Sequence, residues 1–262
     1  MNTLVTNVQR HASRTVLVVQ HDGRHIPRVP GSGFDGVLVD VPCTGSGTTR
    51  KNPDVWGKWR PSSGRSLHSL QYDLLTRAIE LTKPGGRVVY STCSLDPIEN
   101  EAVVARVLAG GKVRVVPRGD SLSGVPSNPG MTNWPLLNDK GELDNESKSE
   151  EYLIPTKDMA VSSQLNECLR VWNDEIGGGG FFLAVLERIL EDDVSGVINP
   201  FMSQKTIYDP ESFPQPIDDQ RERELREVWG SVPSNMWSRG KSLLWSSDCL
   251  LYTSPSPRDL RL

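Results

Sequence analysis

Two apolar runs, Gly36–Val41 (GVLVDV) and Arg87–Thr92 (RVVYST), end on chemically capable residues, and a helical pattern lies between them. No other feature constrains the fold as much. Leu67, Leu70, Leu74, Leu75, Ala78, Ile79 and Leu81 recur at three- and four-residue spacing, which predicts an amphipathic helix over 66–82. Lys83-Pro84-Gly85-Gly86 stops it. Strand, helix and strand in this order make a βαβ unit, whose strands lie parallel in a sheet covered by helices. Ligands of such sheets sit outside the carboxyl ends of the strands. Here those ends carry Asp40, followed by a loop with Cys43, and Cys93.

The alternation continues on both sides. Thr15–Gln20 (TVLVVQ) reads as another buried strand, with Asp22 just past its end. Asp96-Pro97 with Glu99 reads as a cap, a first-turn proline and an acidic first turn, opening a helix to about Leu108. Lys112–Val116 is a further strand. Gly180–Glu187 (GFFLAVLE) is a strong strand expected to return against it as an antiparallel edge. The prediction is an α/β fold, mostly parallel, with an antiparallel last strand. Residues 117–179 are polar and turn-rich, either an ordered excursion over the active-site face or partly disordered.

Residues 1–190 thus form one catalytic-type domain. Residues 191–248 change character: Asn199–Pro216 is rich in Pro, Ser and Asp, and Asp219–Trp229 reads as a short charged helix, the start of an unfinished accessory region. Residues 249–262 (CLLYTSPSPRDLRL) have no periodic pattern and read as a non-native or disordered tail.

Composition excludes several classes. The formal net charge of the 262 residues is −4, so any nucleic-acid contact needs a local basic patch. The 4 cysteines show no C-x-x-C spacing, so neither a disulfide scaffold nor a metal site is expected, and a reducing compartment is. No apolar run reaches the length of a membrane span, and no signal peptide is expected. One stretch is locally basic and aromatic: Arg50, Lys51, Lys58, Arg60 and Arg65, with Trp56 and Trp59 among them. Its cations can neutralise phosphates and its indoles can stack on splayed bases. The competing reading is a solvated loop with packed tryptophans.

Asp40–Trp56 (DVPCTGSGTTRKNPDVW) resembles the motif IV region of the Sun-family S-adenosylmethionine-dependent RNA (cytosine-5)-methyltransferases, and Tyr90–Leu108 (YSTCSLDPIENEAVVARVL) resembles their motif VI. The wording is closest to the eukaryotic tRNA-modifying branch, as are Pro129-Gly130-Met131-Thr132 and Gly179–Leu186. The resemblance covers roughly residues 1–190. It implies a class I methyltransferase, Rossmann-like sheet, S-adenosylmethionine as cofactor, RNA (tRNA by the branch) as partner, and residence in the nucleus, with the cytoplasm as the alternative.

It also implies roles. Cys93 matches the nucleophile that adds to cytosine C6 and makes C5 enamine-like. Asp40 matches the carboxylate that serves N3 of the base and contacts the cofactor. Cys43 matches the cysteine that assists release, against the alternative of plain packing. Asp22 matches the motif III carboxylate at the adenine side of the cofactor, against the alternative of a turn aspartate. Lowering a thiol pKa by about 1.5 units raises its thiolate roughly sixteen-fold, while a Brønsted slope near 0.45 returns about five-fold. The net gain is only about three-fold, so positioning must supply most of the advantage.

Family members open with a strand, a glycine-rich turn and a helix that cradle the cofactor. Nothing before Asp22 offers these, and Gly31-Ser32-Gly33 lies between later strands. The chain therefore reads as a member lacking its first strands and an N-terminal RNA-binding region. The alternative function is a non-catalytic RNA-binding or scaffold fragment. A dinucleotide-dependent oxidoreductase ranks third, since no glycine fingerprint is in place.

Overall fold

The computed structural model describes residues 2–11, 16, 18–26, 33–119, 126–144, 151–189, 215–232, 236–239 and 242–245. The chain divides into two compact units, residues 32–195 and residues 1–31 with 196–262.

The first unit is built on a six-stranded sheet. Strands β1 (Phe34–Asp40) and β2 (Thr82–Thr92) run parallel, in register from Gly36↔Arg87 to Asp40↔Ser91. Short α2 (Asp54–Lys58) and long α3 (Pro61–Leu81) connect them. Proline at the first position of α3 suits a helix start, because its missing N–H is one that no helix would use. His68, Gln71, Leu75, Ala78 and Ile79 form its buried face, which packs on β1, β2 and α4 (Glu101–Leu108). The open carbonyls at the end of α3 are met from a distant strand: the Arg188 guanidinium donates to the carbonyls of Ile79, Glu80 and Thr82.

Strand β6 (Phe181–Arg188) runs antiparallel to β2, pairing Thr92↔Phe182, Tyr90↔Ala184 and Val88↔Leu186. These six residues share one face and are buried. The Tyr90 and Phe182 rings meet edge to face at 6.2 Å. Burying a side chain such as Phe182 or Leu186 contributes about 1.5–3 kcal/mol. Along its other edge β6 pairs with β5 (Leu169–Val171) and then with β3 (Val113–Val115). The antiparallel strand is thus interior, and the expectation that it would form the edge is corrected.

Residues between β3 and β6 are an ordered excursion wherever they are described. β4 (Asn128–Pro129) pairs with β5, and α5 (Met159–Leu165) is capped by Asp158, whose carboxylate accepts from Ala160 N at 2.8 Å. Trp134 is buried and its indole donates to Leu153 O at 2.9 Å.

Four sequence expectations shift. Helix α3 begins at Pro61, before the apolar period starts, because Pro61 opens it. Helix α4 begins at Glu101: the Asp96 carboxylate does accept from Ile98 N, but the residues between are tight turns. Of the apolar run Thr15–Gln20, expected as a strand, the described residues Val16, Val18, Val19 and Gln20 take part in no described ladder. β propensity reports fitness for a paired surface, so a run without a partner stays irregular. Similarly Gly36–Val41 was expected to be buried, yet Leu38 is 70% exposed, because β1 has β2 as its single described neighbour.

The second unit contains α1 (Asn2–His11), a 3-10 turn at Gly23–His25, helix α6 (Asp219–Trp229) and an antiparallel sheet of β7 (Gln215–Pro216), β8 (Met236–Arg239) and β9 (Ser242–Trp245). Helix α6 matches the expected span, opens on the Asp218 side chain and ends at Gly230 with φ +75°. Residues 190–214 and the expected tail at 249–262 lie outside the described residues. No helix among the described residues is long and apolar enough to cross a membrane.

Candidate active site

Parallel register brings the two cysteine loops side by side. The β1 loop is laced to the end of β2: Val41 N donates to Ser91 O at 3.2 Å and Gly47 N to Cys93 O at 2.8 Å. Gly47 O in turn accepts from Gly180 N at 2.8 Å, at the start of β6. A side chain at Gly47 would place its Cβ 2.5 Å from Gly180 O and 2.8 Å from Cys93 O, so no larger residue fits. Gly45 turns the loop with φ +71°, a left-handed backbone that other residues resist. The result places Cys43 Sγ 3.3 Å from Cys93 Sγ, both half-buried. Asp40 stands exposed at the end of β1, its carboxylate accepting from Ser91 Oγ at 3.2 Å.

Glu99 holds this arrangement together, and it was missed. Its carboxylate is fully buried and accepts from Thr44 N at 2.9 Å, from the hydroxyls of Thr44 and Ser94, and from the Gln71 amide at 2.9 Å. The same Gln71 amide donates to Pro42 O. One carboxylate therefore joins the Cys43 loop, the Cys93 loop and α3. A second buried acid, Glu101, pairs with Arg170, which also donates to Leu95 O at 2.9 Å just after Cys93. The available signal was three acids in Asp96–Glu101, more than one helix start requires.

The surroundings act on the Cys43 thiol. Burial, the contact with Cys93 and the charges of Cys93 and Glu99 push the Cys43 thiol up to about 12, so Cys43 is held protonated. Two neighbours titrate in opposite senses. Burial pushes His68 down to about 4, and its ring instead bonds Ile98 O at 2.8 Å. Burial pushes Asp96 up to about 6.

Native His68 favours the neutral ring, so its contribution is complete above 6.5 and is lost as pH falls toward 4. Native Asp96 favours the protonated form, so its contribution is complete below 3.8 and is lost as pH rises through 6. The two slopes oppose each other over that window. Asp96→Asn should therefore leave a stability that falls on acidification from pH 6.5 to 4 by up to about 1.4 kcal/mol per pH unit. Urea midpoints across this range test it, and slopes equal to those of the unaltered chain would refute the assignment.

The other predicted site residues divide. Asp22 belongs to the second unit, where it caps the turn at Gly23–His25 and pairs with the Arg24 guanidinium at 2.6 Å. That guanidinium and the Arg24 N–H hold its carboxyl well below the usual range. Arg50 donates to Asn173 O at 3.3 Å, and Arg60 to the carbonyls of Gly57 and Trp59. Lys51 is exposed, as is Lys58, which lies 3.6 Å from Asp54. Trp56 is 77% exposed and Trp59 half-buried. Among the described residues no group of His, Cys, Asp and Glu could hold a metal ion.

Paired thiols and a carboxylate at adjacent ends of parallel strands, on an α/β sheet with an antiparallel member, define a Rossmann-like methyltransferase fold. A methyltransferase homolog protein from Pyrococcus horikoshii shares it with a TM-score of 0.50 and 28% identity, over 72% of this chain and 50% of that one. Residues 1–187 match the family described as 16S rRNA methyltransferase RsmB/F, and the chain belongs to that family. It is 38% identical over 224 residues to the multisite-specific tRNA:(cytosine-C(5))-methyltransferase of Saccharomyces cerevisiae, covering 79% of this chain and 32% of the relative. It is 37% identical over 253 residues to the tRNA (cytosine(34)-C(5))-methyltransferase of Drosophila melanogaster, covering 87% and 34%. The chain thus spans about a third of the length of these relatives.

Proposed function

We propose that residues 1–190 are catalytic sequence of an RNA (cytosine-5)-methyltransferase that acts on tRNA with S-adenosylmethionine. One observation carries this reading: the Sγ atoms of Cys43 and Cys93 lie 3.3 Å apart, in the loops that follow the paired strand-end residues Asp40 and Ser91. A two-thiol covalent cycle needs that spacing. Cys93 adds to C6 of a cytosine that has left its stack. Asp40 serves N3, where charge develops. S-adenosylmethionine, when bound, supplies the methyl group that C5 takes. The C5 proton passes to solvent water, the C6–S electron pair returns to the Cys93 sulfur as that bond breaks, and Cys43, held as a thiol, hydrogen-bonds the departing sulfur.

Of the two carboxylates expected to hold the cofactor, Asp40 is exposed at the end of β1 with Ser91 Oγ as its hydrogen-bond donor, while Asp22 is taken up by Arg24. That engagement favours the second reading, RNA binding without catalysis. A chimera in which residues 1–190 replace the matching segment of the yeast relative separates the two. The catalytic reading expects 5-methylcytosine in tRNA, detected by mass spectrometry of nucleosides. A folded chimera that binds tRNA and forms none would favour the second.

The basic stretch gives a further test. Neutralising Arg50, Lys51, Lys58 and Arg60 together should flatten the slope of log affinity against log salt by about two, since two of the four already serve backbone carbonyls. An unchanged slope in filter binding would show that all four only solvate a loop.

A further inference from the structure

A cavity of about 410 Å³ lies against both cysteine loops but includes neither cysteine in its walls. Ser46 from the Cys43 loop and Leu95, close after Cys93, form the side nearest the thiols. Four of the chain's 7 tryptophans line the rest: Trp56, Trp59, Trp134 and Trp172. Trp134 is buried and bonded to Leu153 O, so it is a fixed wall. Trp56 is the opposite case. Its indole is 77% exposed on a short helix and gains little from folding. The indole N–H of Trp59 is buried without a hydrogen-bond partner. Asp96, 9% exposed, is the one acid among the lining residues.

These features select a flat aromatic ligand with N–H donors and an anionic backbone. Indole walls accept the faces of any base, and a carboxylate accepts from ring or exocyclic N–H groups. Exposed Lys51 and Lys58 flank Trp56 in the chain and suit phosphates. An apolar peptide would fill the same volume but would use neither Asp96 nor the cations. The volume falls within the usual range of small-molecule sites and exceeds what one base requires.

We infer that this cavity takes an unstacked nucleobase of the substrate RNA, next to the target cytosine, stacked on Trp56 with its N–H edge toward Asp96. The inference rests on the proposal that the chain is an RNA (cytosine-5)-methyltransferase, and it adds a second base-binding position beside the reacting one. Such a position would hold the strand open while the cytosine is at Cys93.

The test uses the 262-residue chain and single-stranded oligoribonucleotides carrying one cytosine. A second set replaces both nucleotides flanking the cytosine with abasic ribose and keeps every phosphate. The abasic set should bind about ten-fold more weakly. Trp56→Ala should weaken the base-containing set by a similar factor and leave the abasic set unchanged, while Trp56→Phe should keep most of the difference. Trp56 is exposed, so these variants do not disturb the core. Equal binding of the two sets, as a peptide-filled cavity would give, or no binding of either, would overturn the inference. So would a difference that survives Trp56→Ala. The readout involves no methyl transfer. An inactive chimera alongside intact base discrimination would therefore count against the catalytic reading and leave the cavity assignment standing.

Discussion

Cys43→Ala is expected to accumulate a covalent enzyme–RNA adduct, and Cys93→Ala to abolish both the adduct and methyl transfer. The two thiols act at different steps of one cycle. Formation of the C6–S bond needs Cys93 alone. Its breakage leaves charge on the Cys93 sulfur, and the Cys43 thiol 3.3 Å away is the group placed to stabilise it. Burial and neighbouring negative charge keep that thiol protonated, which suits a donor and disfavours a rival nucleophile. The Cys43→Ala chimera should show a slow-migrating RNA band on denaturing gels, and adding Cys93→Ala should remove it. Normal turnover without a band would make Cys43 a packing residue. A band that persists in Cys93→Ala would reverse the assignment of the nucleophile.

Breaking the Glu101–Arg170 pair should cost about 3–5 kcal/mol, the largest stability loss expected from one polar substitution here. Arg170 is 1% exposed and Glu101 0%, so removing either partner strands a charge in the core. Arg170→Met would leave Glu101 with Met131 N at 2.8 Å as its remaining close partner, and would also free Leu95 O. Replacing both residues with apolar ones of similar volume should recover most of the loss, because neither charge then needs a partner. Hydrogen exchange of β2 and β6 amides reads this out for the unit of residues 32–195 alone. A loss under about 1 kcal/mol in Arg170→Met would show that water reaches the pair.

The βαβ core was legible because its signals are local. Period-3.6 leucines, a Lys-Pro-Gly-Gly stop and β-branched runs act within a dozen residues, so the end of α3 and the end of β2 fall where those signals put them, although α3 starts earlier, at Pro61, and β2 starts at Thr82 and takes in the stop residues. The two thiols were legible for the same reason: each sits just past a strand end. Glu99 was read as a first-turn acid because that role also is local. Its actual partners, Thr44 and Gln71, lie far away in sequence and meet it only when the sheet forms.

The amino-acid sequence alone determined the succession of β1, α3 and β2, the parallel pairing of β1 and β2, and the presence of a thiol beyond each of these strands. Those outcomes follow from side-chain period and turn chemistry, which each segment carries by itself. The tertiary structure decided the rest. Whether an apolar run becomes a strand depends on a partner, so Val18, Val19 and Gln20 stay outside any described ladder while Phe181–Arg188 gains neighbours on both edges. Whether a carboxylate is a ligand, a cap or a buried clamp depends on what surrounds it. Asp22, Asp40 and Glu99 look alike in the chain, yet one is held by Arg24, one stands exposed at the end of β1, and one ties the cysteine loops together.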